Sequence, residues 1–167
     1  MIHVCSLARL HETVEESGAR YIVSLIGDET VVRPSGVPPE NHLCLHLHDI
    51  SAPLEGHIMP AVQHVARLLN FVRDWDRVAP LVVHCYAGIS RSTACAFASV
   101  CALNPRRDEE NIAQALRRAS PTAMPNARIV SLADHLLRRR GRMIAAIENI
   151  GHGVLAGEAA PFRLDLE

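Results

Sequence analysis

Apolar positions along this chain recur with two periods. Residues 1–7 (MIHVCSL), 20–27 (RYIVSLIG), 42–50 (HLCLHLHDI) and 79–83 (APLVV) are short runs of β-branched and apolar residues bounded by turn formers, and they predict strands. Between them the spacing turns helical. Residues 6–18 read as a helix with Ser6 as candidate N-cap and Gly18 just past its end. The stretch 60–76 places Val62, Val65, Ala66, Leu69, Val72 and Trp75 on one stripe, with Trp75 as a core residue. Arg91 to about Leu103, then 108–120, 126–140 and 142–150, complete a helical second half. Strands alternating with helices predict an α/β fold: a central, mostly parallel sheet of about four or five strands, flanked by helices on both faces, with the last helices added to one side. The segment 27–41 carries three Pro and two Gly and reads as a surface loop. Residues 150–167 are Gly-rich and predict no element.

Length and composition refine this without redirecting it. A chain of 167 residues without repeats or Gly/Ser linkers predicts one domain over 1–167. Apolar residues at 49%, charged residues at 21% and a formal net charge of -1 give no global field for nucleic acid or an acidic membrane. The N-terminus has no basic stretch followed by an apolar core, and no lipidation motif or membrane-length apolar run appears, so a cytoplasmic location is expected. The five cysteines, Cys5, Cys44, Cys85, Cys95 and Cys101, are odd in number and lie in apolar segments, which suits reduced thiols. His42, Cys44, His46 and His48 share one strand face. Same-face neighbours stand ~7 Å apart and converge poorly on one ion, so a satisfied His row is expected, with no metal and no cofactor. Oligomeric state leaves no mark.

The chemistry concentrates in residues 81–93, LVVHCYAGISRST. In an open parallel sheet a ligand binds beyond the carboxyl ends of the strands, and Cys85 stands at such an end. The next five residues, Tyr86, Ala87, Gly88, Ile89 and Ser90, must reverse the chain, and Gly88 supplies the freedom for a tight turn whose N–H groups face one point. The helix opening near Arg91 adds its unsatisfied N–H groups and positive dipole end. Arg91 itself offers a planar fork that matches two phosphate oxygens. A free cysteine is mostly thiol at pH 7, and a helix N-terminus or a neighbouring cation favours the thiolate. The same turn can therefore bind an anion and activate a nucleophile. Phosphoryl transfer to Cys85 followed by hydrolysis is the reaction that uses both.

HCYAGISRS resembles the His-Cys-x5-Arg-Ser/Thr signature of the cysteine-dependent protein tyrosine phosphatases, and its AGxSRS wording is closest to compact dual-specificity, bacterial-type members. The resemblance implies a phosphotyrosine-phosphatase-like fold, Cys85 as nucleophile, and Arg91 as phosphate ligand and transition-state clamp. It makes residues 86–91 the phosphate-binding loop, Ser92 a hydroxyl donor to the departing thiolate, and His84 a structural support. The substrate it implies is a phosphorylated protein or peptide, on tyrosine and also on serine or threonine. Its loop has no Lys, unlike inositol-lipid members, and RNA 5'-phosphate is a further substrate of relatives. A phosphate-binding module without turnover and a sulfurtransferase are the rival classes; the first lacks a nucleophile or an acid, and both Cys85 and Asp49 are present.

Expelling a tyrosine or serine oxygen also requires a proton donor. Asp49 leaves its strand at the same sheet edge as Cys85, if the two strands run parallel. Asp74 and Asp76 precede the Cys85 strand and are expected roughly 15 Å away at the opposite edge. The family's acid likewise follows the preceding strand. Glu55 and His57, in the same loop as Asp49, are alternatives. Near 121–130, PTAMPNARIV resembles the Ser-Pro-Asn type segment that follows the signature in dual-specificity enzymes, which makes Asn126 a supporting residue; a plain helix N-cap explains it equally. Arg138, Arg139 and Arg140 are expected to complement a helix C-terminus, with phosphoprotein docking as the minor alternative.

Overall fold

The computed structural model describes residues 1–166. In chain order its elements are β1 (Ile2–Ser6), α1 (Leu10–Ser17), β2 (Tyr21–Ile26), a 3-10 turn (Pro39–Asn41), β3 (His42–His46), α2 (Val62–Asp74) and β4 (Leu81–Cys85). There follow α3 (Arg91–Leu103), α4 (Glu109–Ala119), α5 (Ala127–Leu136), α6 (Arg142–Asn149) and β5 (Phe162–Leu164). The strands form one sheet in the order β3-β2-β4-β1-β5. The first four run parallel, and β5 lies antiparallel on β1, pairing Ile2 with Leu164 and Val4 with Phe162. The expected α/β sheet is therefore present, with one strand more than the hydrophobic pattern shows.

Alternation along each strand sorts the core into two layers. Ile2, Val4, Val23, Leu25, Leu81, Val83 and Cys85 face the larger one, which α2 to α6 fill. Cys5, Ile22 and Val82 face the smaller one, closed by Leu10 and Val14 of α1. One helix thus covers one face and five cover the other. α3 runs through the larger layer, where every residue from Arg91 to Cys101 is buried, so its small side chains (Ala94, Ala96, Ala98) let it approach the sheet closely. Trp75 is 2% exposed, and its Nε1 donates to Ala79 O at 2.9 Å, as a core residue should.

Two local expectations shift. The first helix starts at Leu10, with Arg9 at the N-cap position, not at Ser6. Ser6 ends β1, and a turn over residues 7–9 stands between it and the helix; its hydroxyl accepts from Arg9 N–H in that turn and donates to Glu158. Gly18 does end the helix, in the left-handed conformation at φ 67°. The second concerns Arg138 to Arg140: they lie just past α5 as expected, and the N–H groups of Arg138 and Arg139 close its last turn on His135 O at 3.1 Å and Asp134 O at 2.9 Å, but their side chains are not all free. Arg139 is buried, with Nη1 2.7 Å from Glu109 and Nη2 2.6 Å from Cys101 O; it ties α3, α4 and the α5–α6 turn together and has no face left for docking. No described helix is long and apolar enough to cross a membrane.

Candidate active site

Parallel pairing sets Ser6 beside Cys85, so β1 and β4 end at the same sheet edge. Beyond it the chain turns through residues 86–90 into α3. Gly88 adopts φ 74°, and a Cβ there would stand 2.9 Å from Cys5 C and Ser6 N. Only glycine fits both the conformation and the approach. The carbonyls of this turn are held outward by four N–H groups from three surrounding segments. Tyr86 O accepts from Leu7 N–H at 3.1 Å, Ala87 O from Ala159 at 2.9 Å, Ile89 O from Met124 at 3.0 Å, and Ser90 O from Asn126 at 3.3 Å. The N–H groups of residues 86–91 donate to no protein acceptor among the described residues in these loop and cap bonds. A turn with its carbonyls fastened outward has its amides left for something else.

The helix start is arranged the same way. Ser90 occupies the N-cap position of α3 without capping it; its hydroxyl donates instead to Asp49 Oδ1 at 2.7 Å. Arg91, 6% exposed, makes one bond among the described residues, from Nη1 to Leu47 O at 3.0 Å, and its Nε is buried without a partner. Cys85 is 2% exposed and lies at the floor, its Sγ 3.1 Å from Ser92 Oγ. Glu29, Asp49, Cys85, Tyr86, Ala87, Ile89, Ser90, Arg91, Ala156 and Gly157 line one open cleft of about 350 Å³. The positions singled out in the sequence thus meet in one place.

Of the acid candidates Asp49, Glu55 and His57, Asp49 is the one that reaches this cleft. Its Oδ1 accepts from both Ser90 Oγ and Asn126 Nδ2, the latter at 2.8 Å. Asn126 does two jobs, since its Oδ1 also accepts from Arg128 and Ile129 N–H and so caps α5. Glu55 and His57 are exposed and outside the cleft lining. His57 packs edge-on against His48, ring centroids 4.7 Å apart. Along the His row, His42 Nε2 meets Ser24 Oγ at 2.7 Å and Cys44 Sγ at 3.3 Å, while His48 Nδ1 accepts from Ile58 N–H at 2.9 Å and His46 is exposed.

His84 stands under the turn, fully buried, with Nε2 2.6 Å from Ser24 Oγ. Burial, and then the neighbouring His42, push its pKa down to about 4, so it is a neutral support at pH 7. Burial pushes the Cys5 and Cys101 thiols up to about 12 and Cys95 higher still, which keeps all three as inert thiols. Glu29 and the segment 156–157 are the cleft residues that sequence reasoning missed. Glu29 sits in a loop whose composition gives it no distinguishing mark, its Oε2 accepting from Gly27 N–H at 2.6 Å.

A thiol, a turn with unbonded amides and a buried guanidinium thus gather at the carboxyl edge of a parallel sheet. The protein-tyrosine phosphatase family model matches residues 16–140, and the chain belongs to that family of cysteine-dependent phosphatases. Among solved structures it is similar to human DUSP28, with a TM-score of 0.66 at 18% identity, covering 83% of this chain and 89% of that one. It is also similar to Cydia pomonella PTP-2 phosphatase, TM-score 0.60 at 19% identity over 80% and 84% of the two chains. PTPMT1 in complex with PI(5)P gives 0.62 at 14% identity over 83% and 91%. At these identities the likeness is one of fold. No curated protein sequence matches the chain.

Proposed function

We propose that this protein hydrolyses phosphate monoesters on proteins, on tyrosine and with dual specificity on serine or threonine, through a phosphocysteine at Cys85. The observation that carries this reading is the turn at 86–91, whose carbonyls are fastened outward while its amides and Arg91 Nε stay unbonded around the thiol. Those donors match the equatorial oxygens of a phosphoryl group in flight, where charge develops. The Cys85 sulfur attacks phosphorus, the S–P bond forms, and the P–O bond to the leaving group breaks. Asp49 gives that oxygen its proton; both of its hydrogen bonds fall on Oδ1, which leaves Oδ2 as the acidic oxygen. Asp49 then takes a proton from water as the water attacks phosphorus, and Ser92 Oγ, 3.1 Å from Sγ, donates to the departing thiolate. Asn126 and His84 position Asp49 and the turn.

The charge around the cleft supports a phosphoprotein over a phosphoinositide. Arg91 is the one basic residue in the lining, so a second anionic group on the substrate finds no second cation there and meets the Glu29 carboxylate. Five unpaired cysteines suit the reducing cytoplasm.

The test is turnover of p-nitrophenyl phosphate and of a phosphate ester with a poorer leaving group. Cys85→Ser should lose roughly 10³-fold or more on both. Asp49→Asn should lose roughly 10²-fold on the poor leaving group and less on p-nitrophenyl phosphate. Unchanged turnover in Cys85→Ser contradicts the mechanism. Wild-type rates in Asp49→Asn with a loss in Glu55→Gln contradict the assignment of the acid.

A further inference from the structure

The family match ends at residue 140, yet Ala156 and Gly157 line the catalytic cleft. They belong to a strap between α6 and β5 that has no helix or strand of its own but is fixed at several points. Arg117 Nη2 donates to Gly151 O at 2.8 Å, Val154 N–H to Pro121 O at 2.9 Å, and Ala159 N–H to Ala87 O at 2.9 Å. Gly153 lies so close to the α4–α5 loop that an added Cβ would be 2.6 Å from Ala123 O. Glu158 accepts from Ser6 Oγ, and β5 then closes the edge of β1. A wall so anchored keeps its shape when substrate arrives.

Tyr86, Ala87 and Gly157 border the catalytic cleft, and they also border a second cleft of about 490 Å³ with Leu7, Ala8 and Glu158. The two clefts are therefore neighbours with three wall residues in common, one holding Cys85 and the other beside the start of α1, and together they are called the trough. We propose that this trough seats an apolar side chain next to the phosphorylated residue of a peptide substrate, with the strap as the specificity wall. The proposal rests on the phosphatase reading above. Consecutive residues of an extended peptide advance about 3.3–3.6 Å, so with the phosphorylated residue in the first cleft its neighbour arrives over Tyr86 and Gly157. Leu7, Ala8, Ala87 and the exposed Tyr86 ring offer it an apolar lining. The Glu158 carboxylate at the rim repels an acidic neighbour.

The strap also supplies a plug. A Cβ at Gly157 has no heavy atom within 4 Å, so the backbone has room for a side chain there, and Gly157→Leu is the plug on the strap side. Ala8→Phe, at an exposed position, fills it from the other. The experiment measures kcat/KM of the full chain on phosphotyrosine peptides that carry Leu, Gly or Asp on both sides of the phosphorylated residue. Soluble short-chain PI(5)P and p-nitrophenyl phosphate are measured alongside. The wild type should prefer Leu to Gly roughly tenfold and rank Asp last. In Ala8→Phe and in Gly157→Leu the Leu/Gly ratio should fall to about one, and Glu158→Gln should restore the Asp peptide toward the Gly peptide. Equal rates on all three peptides in the wild type, or a ratio unmoved by both plugs, overturn the trough. PI(5)P turned over faster than every peptide, with that advantage removed by the plugs, overturns the peptide as occupant. Failure of the phosphatase reading looks different: Cys85→Ser would then match the wild type on p-nitrophenyl phosphate.

Discussion

Two arginines, each 6% exposed, occupy opposite situations in this fold. Arg139 is answered by the protein itself: Nη1 meets Glu109 at 2.7 Å and Pro105 O at 3.2 Å, and Nη2 meets Cys101 O at 2.6 Å. Glu109 in turn takes Arg142 at 3.0 Å. Arg91 is answered by one backbone carbonyl, at 3.0 Å, and its Nε is left unbonded in a turn whose amides are unbonded too. A buried cation that its own fold satisfies is structure; one that its fold leaves short of acceptors is held for a ligand. The sequence already points this way, with Arg91 in the signature turn as the expected phosphate ligand and the RRRG cluster at 138–141 as a helix-end complement, docking being its minor alternative.

Substitution should separate the two roles. Arg91→Lys replaces the planar fork by a point charge, and turnover should fall roughly 10²-fold or more while the denaturation midpoint stays near that of the wild type. Arg139→Ala leaves Glu109 buried with one partner fewer and should lose about 3–5 kcal/mol in chemical denaturation, with turnover per folded molecule retained. If Arg91→Lys proved the destabilised variant and Arg139→Ala the inactive one, the contrast would be reversed.

His84 sharpens the comparison from the other side, as a titratable group that the fold keeps uncharged beneath the turn. Its pKa of about 4 lies below the ordinary value near 6.5, so protonation favours the unfolded chain. Its contribution is complete above pH 6.5 and disappears as pH falls through the interval to 4, a loss of about 3 kcal/mol. Urea midpoints of the wild type should drop across that window. His84→Gln should be less stable at pH 7 and show a shallower drop, and an equal drop in both would remove His84 from the account.

The parts of the molecule that could be read from sequence are those whose signal is local. Four strands and six helices announce themselves by period and punctuation, and the signature turn is contiguous, so Cys85, Gly88, Arg91 and Ser92 come as a unit. Asp49 followed from topology once the strands were taken as parallel. What could not be read depends on distant backbone. β5 is three residues in a Gly-rich tail and exists because β1 offers an open edge. The strap at 151–161 is held by bonds to distant backbone and side chains and by the lack of a side chain at Gly153, neither of which leaves a pattern in composition. The gap between Ser6 and the helix start is of the same kind, because Ser6 is held in β1 by its pairing with β4, and its hydroxyl meets Glu158, more than 150 positions away.

The central claim is that the phosphoryl group passes through the sulfur of Cys85. Rapid mixing of Asp49→Asn enzyme with p-nitrophenyl phosphate, acid quench and peptide mapping by mass spectrometry tests it most directly, since the substitution slows the hydrolytic step more than formation of the intermediate. A burst of p-nitrophenol close to the enzyme concentration should appear, with the phosphoryl adduct on the peptide that contains Cys85 and none in Cys85→Ser. A burst with the adduct on any other residue, or the same burst from Cys85→Ser, would contradict it.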